Sequence, residues 1–144
     1  FFASLPRKVV AAAVICRVSS GEILTVYDSF RQHWTIPGGV VDADESPQDG
    51  ARRETWEEAG LEVEIRDLLG VFAAHGPDRV IFVFDATPTG STSGRGLPAL
   101  RPVHAHEVAD VAWVPVDEAL TRVAPHVAGQ VRRCLRAPGR VWAE

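Results

Sequence analysis

Between Ser46 and Gly60 the chain carries a full set of local helix signals, and a helix there gathers three carboxylates into one sector. Ser46 can cap it, Pro47 suits the first helical position, and Gln48 and Asp49 fill the first turn. Gly60 is placed to stop it in a left-handed conformation. At about 100° per residue, Glu57 and Glu58 fall roughly 60° to one side and 40° to the other of Glu54. Like charges at these spacings repel. A cation that collects the charge removes the repulsion, and Mg²⁺ takes a few carboxylates together with waters and phosphates. Gly50 falls in the same sector and is expected to keep the approach to the acids open. Ala51, Thr55 and Ala59 are small enough to bring the helix close to a sheet. Three glutamates alone more often make a solvated acidic face, so the surrounding residues decide.

The rest of the chain alternates strands and helices. Lys8 to Arg17 is an apolar run suited to a central strand, and Glu22 to Tyr27 is a second, with Ser19-Ser20-Gly21 read as a hairpin turn. Trp34 to Gly39 is a short strand broken by Pro37 and two glycines, where backbone bends sharply or approaches something closely. Leu61–Ala74 and Arg79–Ala86 are strands joined by a turn at His75-Gly76-Pro77-Asp78. His106 to Val114 returns to strand, and Val116–Val123 and His126–Leu135 are helices separated by Pro125. Thr87 to Pro102 is rich in Gly, Ser, Thr and Pro and longer than ordinary connections. It is expected to be a mobile lid, with Arg95 and Arg101 as its phosphate contacts. This order predicts an α/β fold with a mixed β-sheet between helical layers.

Composition sets limits on this reading. At 144 residues the expectation is a single domain spanning 1–144. A chain of this size buries roughly 70% of its unfolded surface, enough for a core without staples. No apolar run approaches the ~20 residues needed to cross a bilayer, so no membrane association is expected. The net charge is -4, without the basic footprint of a protein that binds nucleic acid duplexes. Two cysteines make no disulfide framework, which points to reduced thiols and a cytoplasmic location. The chain opens on Phe1 and contains no Met, so a trimmed start is expected and a signal peptide is argued neither way.

Read in full, Gly39 to Leu61 is GVVDADESPQDGARRETWEEAGL. It resembles the Nudix box, G-x5-E-x7-R-E-U-x-E-E-x-G-U, in which U is a bulky aliphatic residue. Gly39, Glu45, Arg53, Glu54, Glu57, Glu58, Gly60 and Leu61 match in register. Thr55 stands where the aliphatic residue is expected, and Asp44 where the family usually has Gly before the first Glu. Trp34-x-Ile36-Pro37-Gly38 upstream and Glu107-x5-Trp113 downstream are similar to the family as well. The resemblance implies a Nudix-like α/β/α sandwich with a mixed β-sheet, acting as a pyrophosphohydrolase on a phosphoanhydride.

The same resemblance implies Mg²⁺ (or Mn²⁺) as cofactor. Glu54 and Glu58 would be its principal ligands, Glu57 a third, variable one, and the Gly38 carbonyl often completes such sites. Arg53 is expected to reach Glu45 and lock loop to helix as structural support for the acids. Two candidates stand for the general base, Glu54 and Glu107. His75, His104 and His106 are weaker candidates for proton or phosphate contacts. Trp34, Arg79 and Arg101 are candidates for substrate binding. The partner is a small-molecule nucleotide: ADP-ribose, a nucleoside triphosphate, a nucleotide sugar or a dinucleoside polyphosphate. Pro77, sixteen residues beyond Leu61, resembles a feature of the family's ADP-ribose pyrophosphatases, although it also suits a plain turn. A homodimer is left open. The rival reading is a nucleotide-sensing, non-catalytic module of the same fold, which usually loses box glutamates that this chain keeps.

Overall fold

Why does a chain with one helix of mean polarity so high place that helix against a sheet? The answer lies in its small residues. A computed structural model describes residues 2–89 and 96–144. Helix α1 (Pro47–Ala59) buries Gly50, Ala51, Thr55 and Ala59 and so settles closely on the strands beneath it. Its ends follow the sequence signals. The Ser46 hydroxyl accepts a bond from the Asp49 N–H at 3.1 Å, and Gly60, at φ 64°, donates its N–H to the Trp56 carbonyl at 2.8 Å. Thr55 is fully buried, and its hydroxyl donates to the Ala51 carbonyl at 2.7 Å. With the hydroxyl satisfied inside the helix, the side chain presents its methyl to the core as an aliphatic residue would.

Two sheets form the body. The strands are β1 (Val9–Cys16), β2 (Glu22–Asp28), β3 (His33–Thr35), β4 (Gly38–Val40), β5 (Val63–Ala74), β6 (Arg79–Pro88), β7 (Val108–Pro115) and β8 (Arg140–Ala143). A five-stranded mixed sheet runs β4-β1-β6-β5-β8, and a three-stranded antiparallel sheet runs β3-β2-β7. β1 lies parallel to β6, from Val9 opposite Arg79 to Cys16 opposite Ala86. Its near-continuous apolar run is what a strand covered on both faces requires. Alternate residues face opposite ways. Ala12, Val14 and Cys16 join the core under α1, while Ile15 joins a second core with Phe72, Val83, Val127 and Val131. That second core lies beneath α2 (Val116–Arg122) and α3 (Pro125–Arg136). Truncating Phe72, which is fully buried, costs about 3–5 kcal/mol.

Ser19-Ser20-Gly21 makes the expected turn, closed by an antiparallel bridge from Arg17 to Ile23 and by the Val18 N–H on the Glu22 carbonyl at 3.1 Å, although β1 and β2 belong to different sheets. Two local expectations are corrected. The Trp34–Gly39 segment divides into β3 and β4, one in each sheet, because Pro37 interrupts the ladder between them. Of the Thr87–Pro102 segment, Thr87 and Pro88 continue β6, residues 90–95 including Arg95 lie outside the described residues, and 96–102 dock on the end of α1. There the Arg101 N–H donates to the Ala59 carbonyl at 2.8 Å, and the Trp113 indole N–H donates to the Pro98 carbonyl at 2.9 Å. β8 was not foreseen. Its four residues pair with β5, too short a run to signal a strand.

Candidate active site

Arg53 organises the site. Its guanidinium meets Glu45 through two parallel bonds, Nε to Oε2 at 2.9 Å and Nη2 to Oε1 at 3.0 Å. Nη2 also donates to the Val40 carbonyl at 3.1 Å, tying helix, preceding loop and β4 together. The Arg53 bonds hold the Glu45 carboxyl below its usual range. Nη1 turns the other way, to Glu54 at 3.0 Å and to Glu57 at 3.2 Å. Sequence reasoning foresaw the Glu45 pair and missed these last two bonds. The bond to Glu57 follows from helix spacing, since residue i+4 lies one turn on, while the one to Glu54 uses a donor that the arginine fork has left over.

Glu54 and Glu58 come together at the base of a cleft, and Glu58 accepts the Gly38 N–H at 3.0 Å. Burial raises both carboxyls, Glu58 to about 9, and each acid acts on the other; Asp28 adds a further negative neighbour to Glu58. Arg53 partly offsets the effect on Glu54. The close approach depends on Gly39. A Cβ there would lie 2.6 Å from the Glu54 carboxyl carbon. Gly50 serves another purpose than expected: a Cβ on it would sit 3.0 Å from Glu45 Oε1, so it makes room for the Glu45–Arg53 pair rather than for access to the acids. Asp44 takes a left-handed φ of 63° in the preceding loop, a conformation Asp tolerates better than most residues.

Two adjacent carboxyls, both raised chiefly by burial, with Glu54 raising Glu58 further, are a fitting donor set for a hard divalent ion. Among the described residues no group of three or more His, Cys, Asp or Glu side chains is arranged as a cage. An ion held by Glu54 and Glu58 would take its other oxygens from water and substrate, which is how Mg²⁺ is ordinarily bound. Glu57 stands apart from the pair, held by Arg53 and 3.9 Å from His104 Nδ1.

The cleft has a volume of about 860 Å³, room for a nucleotide-sized molecule. Glu107 and Arg79 line it along with Glu54, Glu58 and Gly38. Glu107 is 46% exposed at its side chain, with His106 Nε2 3.5 Å away. The other candidates lie elsewhere. Trp34 packs on the core, edge-on to Tyr27 and beneath the Arg122 guanidinium at 5.1 Å. Arg101 sits by the end of α1. His104 stacks on His106, and neither they nor His75 line the cleft. Sequence reasoning missed Asp28, Phe30, Arg31, His126 and Gln130, which do line it. They come from the end of β2, the turn after it and the first two turns of α3, none of which carries a motif, so only the folded arrangement reveals them. Both cysteines are free and buried, and burial raises their thiols to about 12. Neither is a nucleophile at neutral pH.

Comparison with known proteins identifies the domain and its fold. The family model of the NUDIX domain matches residues 7–134. A MutT-like protein from Streptomyces ambofaciens is 34% identical over 127 residues, covering 84% of this chain and 82% of that protein. A human 8-oxo-dGDP phosphatase is 32% identical over 127 residues, 81% of this chain but only 38% of its own length. The chain likewise spans less than half the length of several other curated relatives. A NUDIX hydrolase from Nitrosomonas europaea has the same fold, with a TM-score of 0.79 at 21% identity over 97% of this chain and 80% of that one.

Proposed function

This chain belongs to the Nudix family of hydrolases, and we propose on that premise that it hydrolyses a phosphoanhydride bond in a nucleoside diphosphate linked to another moiety. The observation that carries the reading is the Glu54–Glu58 pair at the base of a nucleotide-sized cleft, with Gly38 and Gly39 pressed against it. Glu54 and Glu58 would hold Mg²⁺ or Mn²⁺. When bound, such an ion neutralises phosphate charge and lowers the pKa of an attacking water.

The chain's own residues have separable tasks. Glu54 and Glu58 give up a shared proton when they take a cation, because burial otherwise keeps one of them protonated at neutral pH. Arg53 fixes the direction of Glu54 through Nη1 while its other nitrogens anchor it to Glu45. It acts as a positioning residue. Glu57 completes the charge balance around Arg53 and stands ready as a further, outer ligand. Glu107 is the stronger general-base candidate. It reaches the same cleft and is half exposed, whereas Glu54 already accepts a bond from Arg53. A base must lie within hydrogen-bond reach of the water it activates, directly or through one other water.

The test is product-resolved incubation with ADP-ribose, nucleoside triphosphates, a nucleotide sugar and diadenosine tetraphosphate, each with Mg²⁺, with Mn²⁺ and with EDTA. Release of a mononucleotide from at least one substrate, only with a divalent ion, is the expected result. Tight binding without product from any class would give the answer to the nucleotide-sensing alternative instead.

A further inference from the structure

The end of the cleft opposite the acid pair has the other sign of charge. Arg79 begins β6, level with Val9 of β1, while Gly38 of β4 is level with Ala13. Four residues of strand and two strand spacings separate these positions, roughly 16 Å between backbones. Arg79 lies on the same face of the sheet as Ile81, Val9 and Ala11, and all four line the cleft. Its side chain is half-buried, yet among the described residues it has neither an ion pair nor a hydrogen bond. Lys8, Arg17, Arg52, Arg53 and Arg122 all have carboxylate partners within 3.2 Å. A partly desolvated guanidinium with no counter-ion is costly unless an anion joins it.

Arg79 is not alone there. Arg31, on the turn after β2, lines the same cleft with a largely exposed side chain, and among the described residues its carboxylate neighbour is Asp28 at 4.0 Å. The first turn of α3 brings in His126 and Val127, and α3 has no side-chain cap. The His126 ring meets His33 edge-on at 5.9 Å. Burial lowers the His126 pKa, and His33, Arg31 and Arg79 push the same way against Glu144. Both arginines thus line the cleft with His126, whose imidazole burial holds below the usual histidine range. An uncapped helix start adds backbone donors of the same polarity.

We infer that Arg79 and Arg31, beside the first turn of α3, form a second anion subsite, which holds a phosphate of the substrate lying beyond the diphosphate at Glu54 and Glu58. The inference rests on the proposed hydrolysis for its placement, and it narrows the substrate class. Molecules with a phosphate on the far side of the scissile anhydride, such as dinucleoside polyphosphates, suit this cleft better than ADP-ribose, which has none there. The subsite needs no metal, because the guanidinium forks bind phosphate directly.

Two measurements test it. In EDTA the acid pair repels phosphate, so binding of inorganic tripolyphosphate reports on the cationic end alone. Titration calorimetry should find salt-sensitive binding to the wild type, weakened about tenfold by Arg79→Gln and by Arg31→Gln, with Arg79→Lys intermediate. Circular dichroism and Tm establish that each variant is folded. Equal affinity in wild type and Arg79→Gln, or no wild-type binding at millimolar tripolyphosphate, overturns the subsite. With Mg²⁺, Arg79→Gln should raise the KM for diadenosine tetraphosphate about tenfold more than that for ADP-ribose, with the excess in KM rather than kcat. Equal penalties on the two substrates also overturn it. A wild type that hydrolyses none of the four substrate classes, yet binds tripolyphosphate through Arg79, refutes the proposed hydrolysis and supports the subsite.

Discussion

Replacing Glu58 by Gln should stabilise the metal-free protein while removing its response to Mg²⁺. In the folded state the Glu58 carboxyl is pushed to about 9 from an ordinary value of 4.5. Burial is the main cause, with Glu54 and Asp28 adding repulsion. A carboxyl with a raised folded pKa keeps its proton where the unfolded chain has released it. Stability is therefore unaffected below about pH 4.5, falls with each pH unit up to about 9, and levels off above that. At pH 7 the cost spans two and a half units at about 1.4 kcal/mol each, a ceiling of about 3.5 kcal/mol. Glutamine has no such titration. It can still accept the Gly38 N–H and can donate to Glu54, so packing and hydrogen bonds are kept.

The assay is urea unfolding of wild type and Glu58→Gln in EDTA at several pH values. Their difference isolates Glu58, because the other groups titrate in both. The variant should gain on the wild type steadily from pH 5 to 8, and at pH 7 its Tm should be higher by roughly 5–10 °C. Millimolar Mg²⁺ should raise the Tm of the wild type and leave that of the variant in place. A difference that does not change with pH would refute the claim that burial and the neighbouring acid raise this carboxyl. Equal protection by Mg²⁺ would refute its place in the metal site.

Other perturbations probe the supporting structure. Arg53→Lys keeps the charge but loses the fork that serves Glu45 and Glu54 together, and kcat should fall about 10- to 100-fold with KM little changed. Gly39→Ala puts a methyl 2.6 Å from the Glu54 carboxyl carbon, so activity in steady-state assays should drop at least tenfold while circular dichroism stays native. Thr55→Val removes a hydroxyl that bonds back to Ala51 and weakly strains the helix. Denaturant unfolding should find stability unchanged or raised, by up to about 1 kcal/mol. Glu107→Gln should lower kcat and abolish the acid limb of the pH–rate profile if Glu107 is the base; an unaltered profile returns that role to Glu54.

The sequence by itself determined the helix that carries the acids and the loop that leads into it. Ser46, Pro47 and Gly60 set the ends of α1 through bonds within a few residues, and the glutamate sector follows from helical periodicity alone. The Arg53–Glu45 pair was legible for the same reason, since only a short loop separates them. What lies across the cleft was legible only in part. Arg79 stood out as a candidate for substrate binding, whereas Arg31 and His126 come from a turn and a helix start that carry no motif, and only the folded chain lines one cleft with all three. The tertiary structure also divided the three glutamates, which helix geometry treats alike. Glu54 and Glu58 turn toward Gly38 and Gly39 of β4, and Glu57 turns toward Arg53. Spacing fixes which side chains can share a sector, but burial and the partners that other elements supply decide which of them meet.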